Sequence, residues 1–144
     1  MPSRHKARQR AVQILYLLDM RKMSPEEAFE GYYSSLGVPE GTTRVPRDIF
    51  LEELVRGTMG RLAEIDPLIQ KHAAHWRLER MPMVDRNILR LAVYEMVVTD
   101  TPGPVLIDEA LELARQYSGE ESVHFVNGVL DAVHRELTTR PAKA

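Results

Sequence analysis

The sequence predicts an all-α fold of about seven helices, arranged as small helical bundles. Three observations predict it. Apolar residues recur at three- and four-residue spacings in one segment after another, Pro, Gly and capping residues punctuate those segments, and no stretch shows the strict alternation of a half-buried strand. With 144 residues, 44% hydrophobic and 28% charged, and with no internal repeat or low-complexity tract, the chain reads as one domain over residues 1–144.

The first helix is predicted from about Ser3 to Met20, with Ala7, Ala11, Ile14, Leu15 and Leu18 on its inner face. The second opens at "SPEE". Ser24 caps, Pro25 takes the first helical position, where a missing N–H costs little, and Glu27 completes a capping box. It carries Ala28, Phe29, Tyr32 and Leu36 and stops at Gly37, after which "GVPEGTTRVP" reads as loop. A third helix covers roughly Arg47 to Ala63, with Phe50, Leu51, Leu54, Val55, Thr58, Met59 and Leu62 facing inward.

Asp66–Pro67 has the form of a cap followed by a first-turn proline, which predicts a short fourth helix to about Ala74. "WRLERMPM" is a connector, because Pro82 is excluded from a helix interior. The fifth helix, Val84 to Thr99, is apolar almost all round and therefore central, shared between two bundles. "TPGP" breaks the chain before the sixth helix, "VLIDEALELARQY", which closes at Ser118–Gly119. The seventh, "EESVHFVNGVLDAVHRELTTR", begins with acids and ends with Arg135 and Arg140, as its dipole favours. "RPAKA" is expected to fray.

Several function classes are excluded. No apolar run approaches the ~20 residues of a membrane span, no signal peptide opens the chain, and Cys is absent, so a cytoplasmic protein without thiolate metal sites is expected. The phosphate-loop, dinucleotide and zinc-protease signatures are missing. His72 and His75 lie three apart but lack a third ligand, and His124 and His134 are too far apart along their helix for one ion. Asp108–Glu109 and Glu120–Glu121 stand where helices begin, which capping explains more simply than acid–base catalysis. The expectation is a non-enzyme with no metal and no cofactor.

The charge distribution is more informative than the net −2. Residues 1–18 hold Arg4, Lys6, Arg8 and Arg10 and no acid, leaving 15 of the 19 cations against all 21 acids elsewhere, a net −6. These cations crowd the helix end where the dipole is already positive, at about 0.3–1 kcal/mol each. A solvated face that tolerates this penalty is one reading. A polyanion reverses the penalty, because phosphate is drawn both to the side chains and to the free N–H groups of the first turn. Arginine also stacks on splayed bases, the usual manner of holding single-stranded RNA.

The stretch "RHKARQRAVQILYLLD" resembles the arginine-rich N-terminal helix of the NusB family of bacterial transcription antitermination factors. "DRNILRLAVYE" (85–95), "VLIDEALELAR" (105–115) and "ESVHFVNGVLD" (121–131) resemble that family's following blocks in order and spacing. The resemblance covers essentially the whole chain. It implies two perpendicular three-helix bundles and binding of the boxA element of ribosomal RNA operon leaders. It further implies partnership with ribosomal protein S10 (NusE) within an RNA polymerase antitermination complex.

By position, the resemblance makes Arg4, His5, Lys6, Arg8 and Arg10 the RNA-contacting group, with Glu121 and Phe125 beside the RNA path. His5 stands where a full cation is common, which implies a weaker or pH-sensitive patch, and the Glu121 carboxylate tempers affinity. Phe125 also reads as core, and Asn127–Gly128 as a site of close helix packing. For S10 it points to Tyr16, Glu79 and Asp85, whose plain alternatives are a half-buried aromatic, a solvated charge and a first-turn acid. Some family members form homodimers through the N-terminal helix, and this sequence leaves that open. Two other readings remain: a protein-binding helical adaptor, and the N-terminal RNA-binding domain of a ribosomal RNA cytosine methyltransferase, for whose second domain the chain leaves no room.

Overall fold

In the computed structural model, which describes residues 3–36 and 46–139, seven α-helices and one 3-10 turn follow one another. They are α1 (Arg4–Met20), α2 (Pro25–Ser35), α3 (Ile49–Gly60), α4 (Leu62–His72), the 3-10 turn Leu78–Arg80, α5 (Met83–Val98), α6 (Gly103–Tyr117) and α7 (Glu120–Thr139). No strand occurs among the described residues. The predicted stop at Gly37, all but the last residue of the 37–46 loop, Arg140 and the "RPAKA" end lie outside them.

Local chemistry sets most boundaries. The Ser3 hydroxyl accepts from the Lys6 N–H at 3.1 Å, and Ser24 and Glu27 form the expected capping box. The third helix departs from expectation at both ends. Asp48 caps it by accepting from the Leu51 N–H at 3.1 Å, which leaves Arg47 outside. It stops at Gly60, a poor helix former, and the chain kinks at Arg61. Leu62 consequently opens α4, and Pro67 lies inside that helix instead of at its start. Asp66 does not cap: its two oxygens accept from Arg90 Nε and Nη2, both at 2.9 Å. α6 begins two residues early, at Gly103, because a proline in its first turn gives up only an N–H that has no helical partner.

α1, α2 and α3 pack together, as do α5, α6 and α7, while α4 lies on α5 and α7. α5 touches both groups, meeting α1 and α3 as well as its own partners. Ile88, Leu89, Leu91 and Val93 are all buried along it, each worth roughly 1.5–3 kcal/mol. α1 runs antiparallel to α5. Asp19 at its C-terminal end accepts from Arg86 and Asn87, and Arg8 near its start meets Glu95. The α6–α7 turn is two residues long. Gly119 adopts φ +139°, which a side chain would resist, and its N–H returns to the Ala114 carbonyl at 3.0 Å.

Candidate nucleic-acid interface

The start of α1 does not present five equivalent cations. Arg8 is only 5% exposed. Its guanidinium donates to both Glu95 oxygens at 2.8 and 3.0 Å, and Glu109 lies 3.9 Å away. Burial works against the charge, but the hydrogen bond to Glu95 and the attraction of Glu95 and Glu109 outweigh it and raise the Arg8 pKa above its ordinary value. The expectation that Arg8 offers itself to RNA is therefore corrected: it anchors α1 to α5. His5 is likewise engaged, its Nδ1 2.6 Å from Glu109 Oε2. Glu109 sits well inside α6, so it is an ion-pair partner and not a helix cap, and α6 has no acid in its first turn.

Arg4, Lys6 and Arg10 remain. None has a carboxylate partner among the described residues. Arg4 and Lys6 are exposed and Arg10 is partly so. Arg4 stacks over the Phe50 ring at 4.6 Å, which steadies the charge beside an aromatic surface. The buried Arg8–Glu95 pair fixes this end of α1 to α5, and among the described residues Arg4, Lys6 and Arg10 carry no carboxylate partner there.

A second surface forms around the N-terminal end of α5. Asp85 is 3% exposed, and its two oxygens accept from the Ser118 and Ser122 hydroxyls, each at 2.8 Å. The expected direct contact of Asp85 with S10 is therefore corrected: the carboxylate pins the α6–α7 turn onto α5. Asp85 also lines a groove, together with Trp76, Met81, Pro82, Glu121, Ser122 and Phe125. Glu121 is exposed at its rim, and half-buried Phe125 meets Trp76 edge-on, with centroids 6.3 Å apart. Sequence reading passed over Trp76, although a lone tryptophan between His75 and Arg77 is the basic–aromatic interleaving that marks nucleic-acid surfaces.

Glu79 is exposed on the 3-10 turn, and Tyr16 is half-buried beside a shallow apolar groove with Val12, Val84 and Tyr117. Asn127 and Gly128 correct another expectation. Both are exposed, and a Cβ on Gly128 would meet nothing within 4 Å, so close helix packing does not explain them. His72 pairs with Glu136 at 2.9 Å, and no three His, Asp or Glu side chains among the described residues could hold a metal ion.

Comparison with known proteins agrees along nearly the whole chain. Residues 5–135 match the NusB family. The transcription antitermination protein NusB of Solibacter usitatus is 61% identical over 137 residues, covering 95% of this chain and 92% of that protein. Its namesake in Koribacter versatilis is 45% identical over 142 residues, covering 98% and 94%. Among solved structures, NusB of T. maritima superposes with a TM-score of 0.78 at 33% identity, covering 94% of this chain and 92% of that one. A structure of antitermination factors NusB and NusE in complex with dsRNA gives 0.77 at 30% identity, covering 92% and 96%.

Proposed function

The chain belongs to the NusB family, and on that premise we propose that it is a transcription antitermination factor of the bacterial cytoplasm. In this reading it binds the boxA element of ribosomal RNA operon leaders together with ribosomal protein S10 (NusE). The pair joins RNA polymerase and supports ribosomal RNA synthesis. It is a binding protein and not an enzyme. One observation supports this most directly: Arg4, Lys6 and Arg10, at the start of α1, have no carboxylate partner among the described residues, and the buried Arg8–Glu95 pair holds the helix beside them. Arg4, Lys6 and Arg10 contact phosphate in this reading, His5 lies at their edge, and Glu121 and Phe125 border the strand farther along. Tyr16 and Glu79 supply the S10 contacts that Asp85 cannot, and the acidic body suits a basic ribosomal protein.

The test is a titration of single-stranded boxA RNA, with and without S10, at several salt concentrations. Three phosphate contacts contribute about −2 to the slope of log K against log salt. Replacing Arg4, Lys6 and Arg10 by Ala makes the slope shallower by that amount, and a scrambled RNA binds more weakly. Equal binding by the triple variant, or no binding with S10 present, leaves a protein-binding adaptor instead.

A further inference from the structure

The geometry points to Trp76 as a base-stacking platform, with Arg77 and Arg80 as its phosphate clamp, forming a second contact for the same single-stranded RNA. This rests on the RNA-binding reading above and extends it to a surface about 15 Å farther along α5, the rise of the ten residues between Glu95 and Asp85.

Trp76 is the chain's single tryptophan and is 52% exposed, a large apolar ring left in solvent. The backbone carrying it is nonetheless pinned. The Gln70 amide donates to the Trp76 carbonyl at 2.7 Å, and its oxygen accepts from the Leu78 N–H at 2.8 Å. Arg86 donates to the Leu78 carbonyl at 3.0 Å, which ties the same segment to α5. An exposed ring on a fixed backbone loses little further freedom on binding, which is the condition for a preorganised contact. Phe125 meets the ring edge-on, and half of the Trp76 surface stays exposed for a partner.

Charge selects the partner. Arg77 and Arg80 follow Trp76 closely in the chain, both exposed, and neither has a carboxylate partner among the described residues. Glu121 at the rim repels phosphate and the exposed Arg77 and Arg80 attract it, so a strand whose base meets Trp76 sets its backbone toward the arginines and away from Glu121. A planar base with an adjoining phosphate satisfies ring and arginines together. An acidic protein loop satisfies only the arginines.

A single tryptophan makes the test direct. A fluorescein-labelled 12-nucleotide boxA RNA reads total binding by anisotropy, and the unlabelled RNA is titrated in parallel against Trp76 emission. Stacking quenches that emission in step with binding. Trp76→Ala weakens binding about tenfold, whereas Trp76→Phe, which keeps a stacking ring, retains most of it. Replacing Arg77 and Arg80 by Ala makes the salt slope shallower by about 1.4. Binding without quenching, at an affinity unaltered in Trp76→Ala, overturns the platform and leaves the α1 site standing. A shift of Trp76 emission on adding S10 alone overturns it in favour of a protein contact. Absence of any RNA binding removes both the platform and the reading beneath it.

Discussion

Arg8 and Glu95, 87 residues apart in the chain, grip each other through two parallel hydrogen bonds in the interior, where neither is more than 5% exposed. The pair turns a basic run at a helix start into two populations, one structural and one free. Arg8→Ala leaves Glu95 charged and buried, and the expected loss of stability is about 3–5 kcal/mol. Arg8→Met combined with Glu95→Leu recovers most of it. Urea denaturation of Arg8→Met, Glu95→Leu and the double variant measures the coupling. Should Arg8→Ala keep its midpoint and lose RNA, Arg8 is a ligand after all.

Glu109 holds His5 and lies near Arg8, so it places a negative charge under the proposed phosphate path. Glu109→Gln is expected to strengthen boxA binding roughly two- to fivefold at low salt. The gain shrinks as salt rises. Binding isotherms at two salt concentrations show both effects.

Glu52 gives the fold an acid-sensitive joint. It accepts from Arg47 at 2.7 and 2.9 Å, from the Tyr33 hydroxyl at 2.8 Å and from Arg56 at 3.0 Å. The Arg47 hydrogen bond, against the opposing effect of burial and with help from Tyr33 and Arg56, lowers its pKa below 4.5. A lowered folded pKa means stability that is present above the unfolded value and lost as pH falls through the folded one. Urea midpoints of the native protein and Glu52→Gln therefore differ above pH 4.5 and converge below it.

Two mid-helix glycines respond to alanine with opposite signs. At Gly128 the new methyl meets open space, and helix propensity alone adds up to ~1 kcal/mol of stability. At Gly57 the Cβ overlaps the Tyr94 ring, which packs on the core. Displacing it costs about 1–3 kcal/mol and overrides the propensity gain. Thermal melts of both variants decide the comparison. Loss of RNA affinity in an otherwise stabilised Gly128→Ala would mark the exposed glycine as a point of close RNA approach.

The helical skeleton was legible because its signals are local. Ser3, Ser24 with Glu27, and Ser118–Gly119 act within a few residues of where they stand. The kink at Arg61 was not, since the apolar pattern of 50–62 runs straight through it and only the Asp66–Arg90 pair gives Asp66 a role other than capping. The candidate site was half legible. A basic helix start is visible in one dimension, but the division of its cations depends on Glu95 and Glu109, which no spacing rule connects to Arg8 and His5. Asp85 likewise looks like an ordinary first-turn acid until Ser118 and Ser122 close over it.

The links from α1 to Glu95 and Glu109 also set a timetable. α1 leaves the ribosome ahead of its partners, which lie 87 and 104 residues downstream. At typical elongation rates of 5–20 residues per second, that interval is roughly 5–20 s. During it the nascent helix carries Arg8 unburied alongside its other cations. α1, made ahead of its partners, is thus among the last of these helices to acquire its working form, and a chain cut short before Glu95 leaves the Arg8 charge without its buried partner.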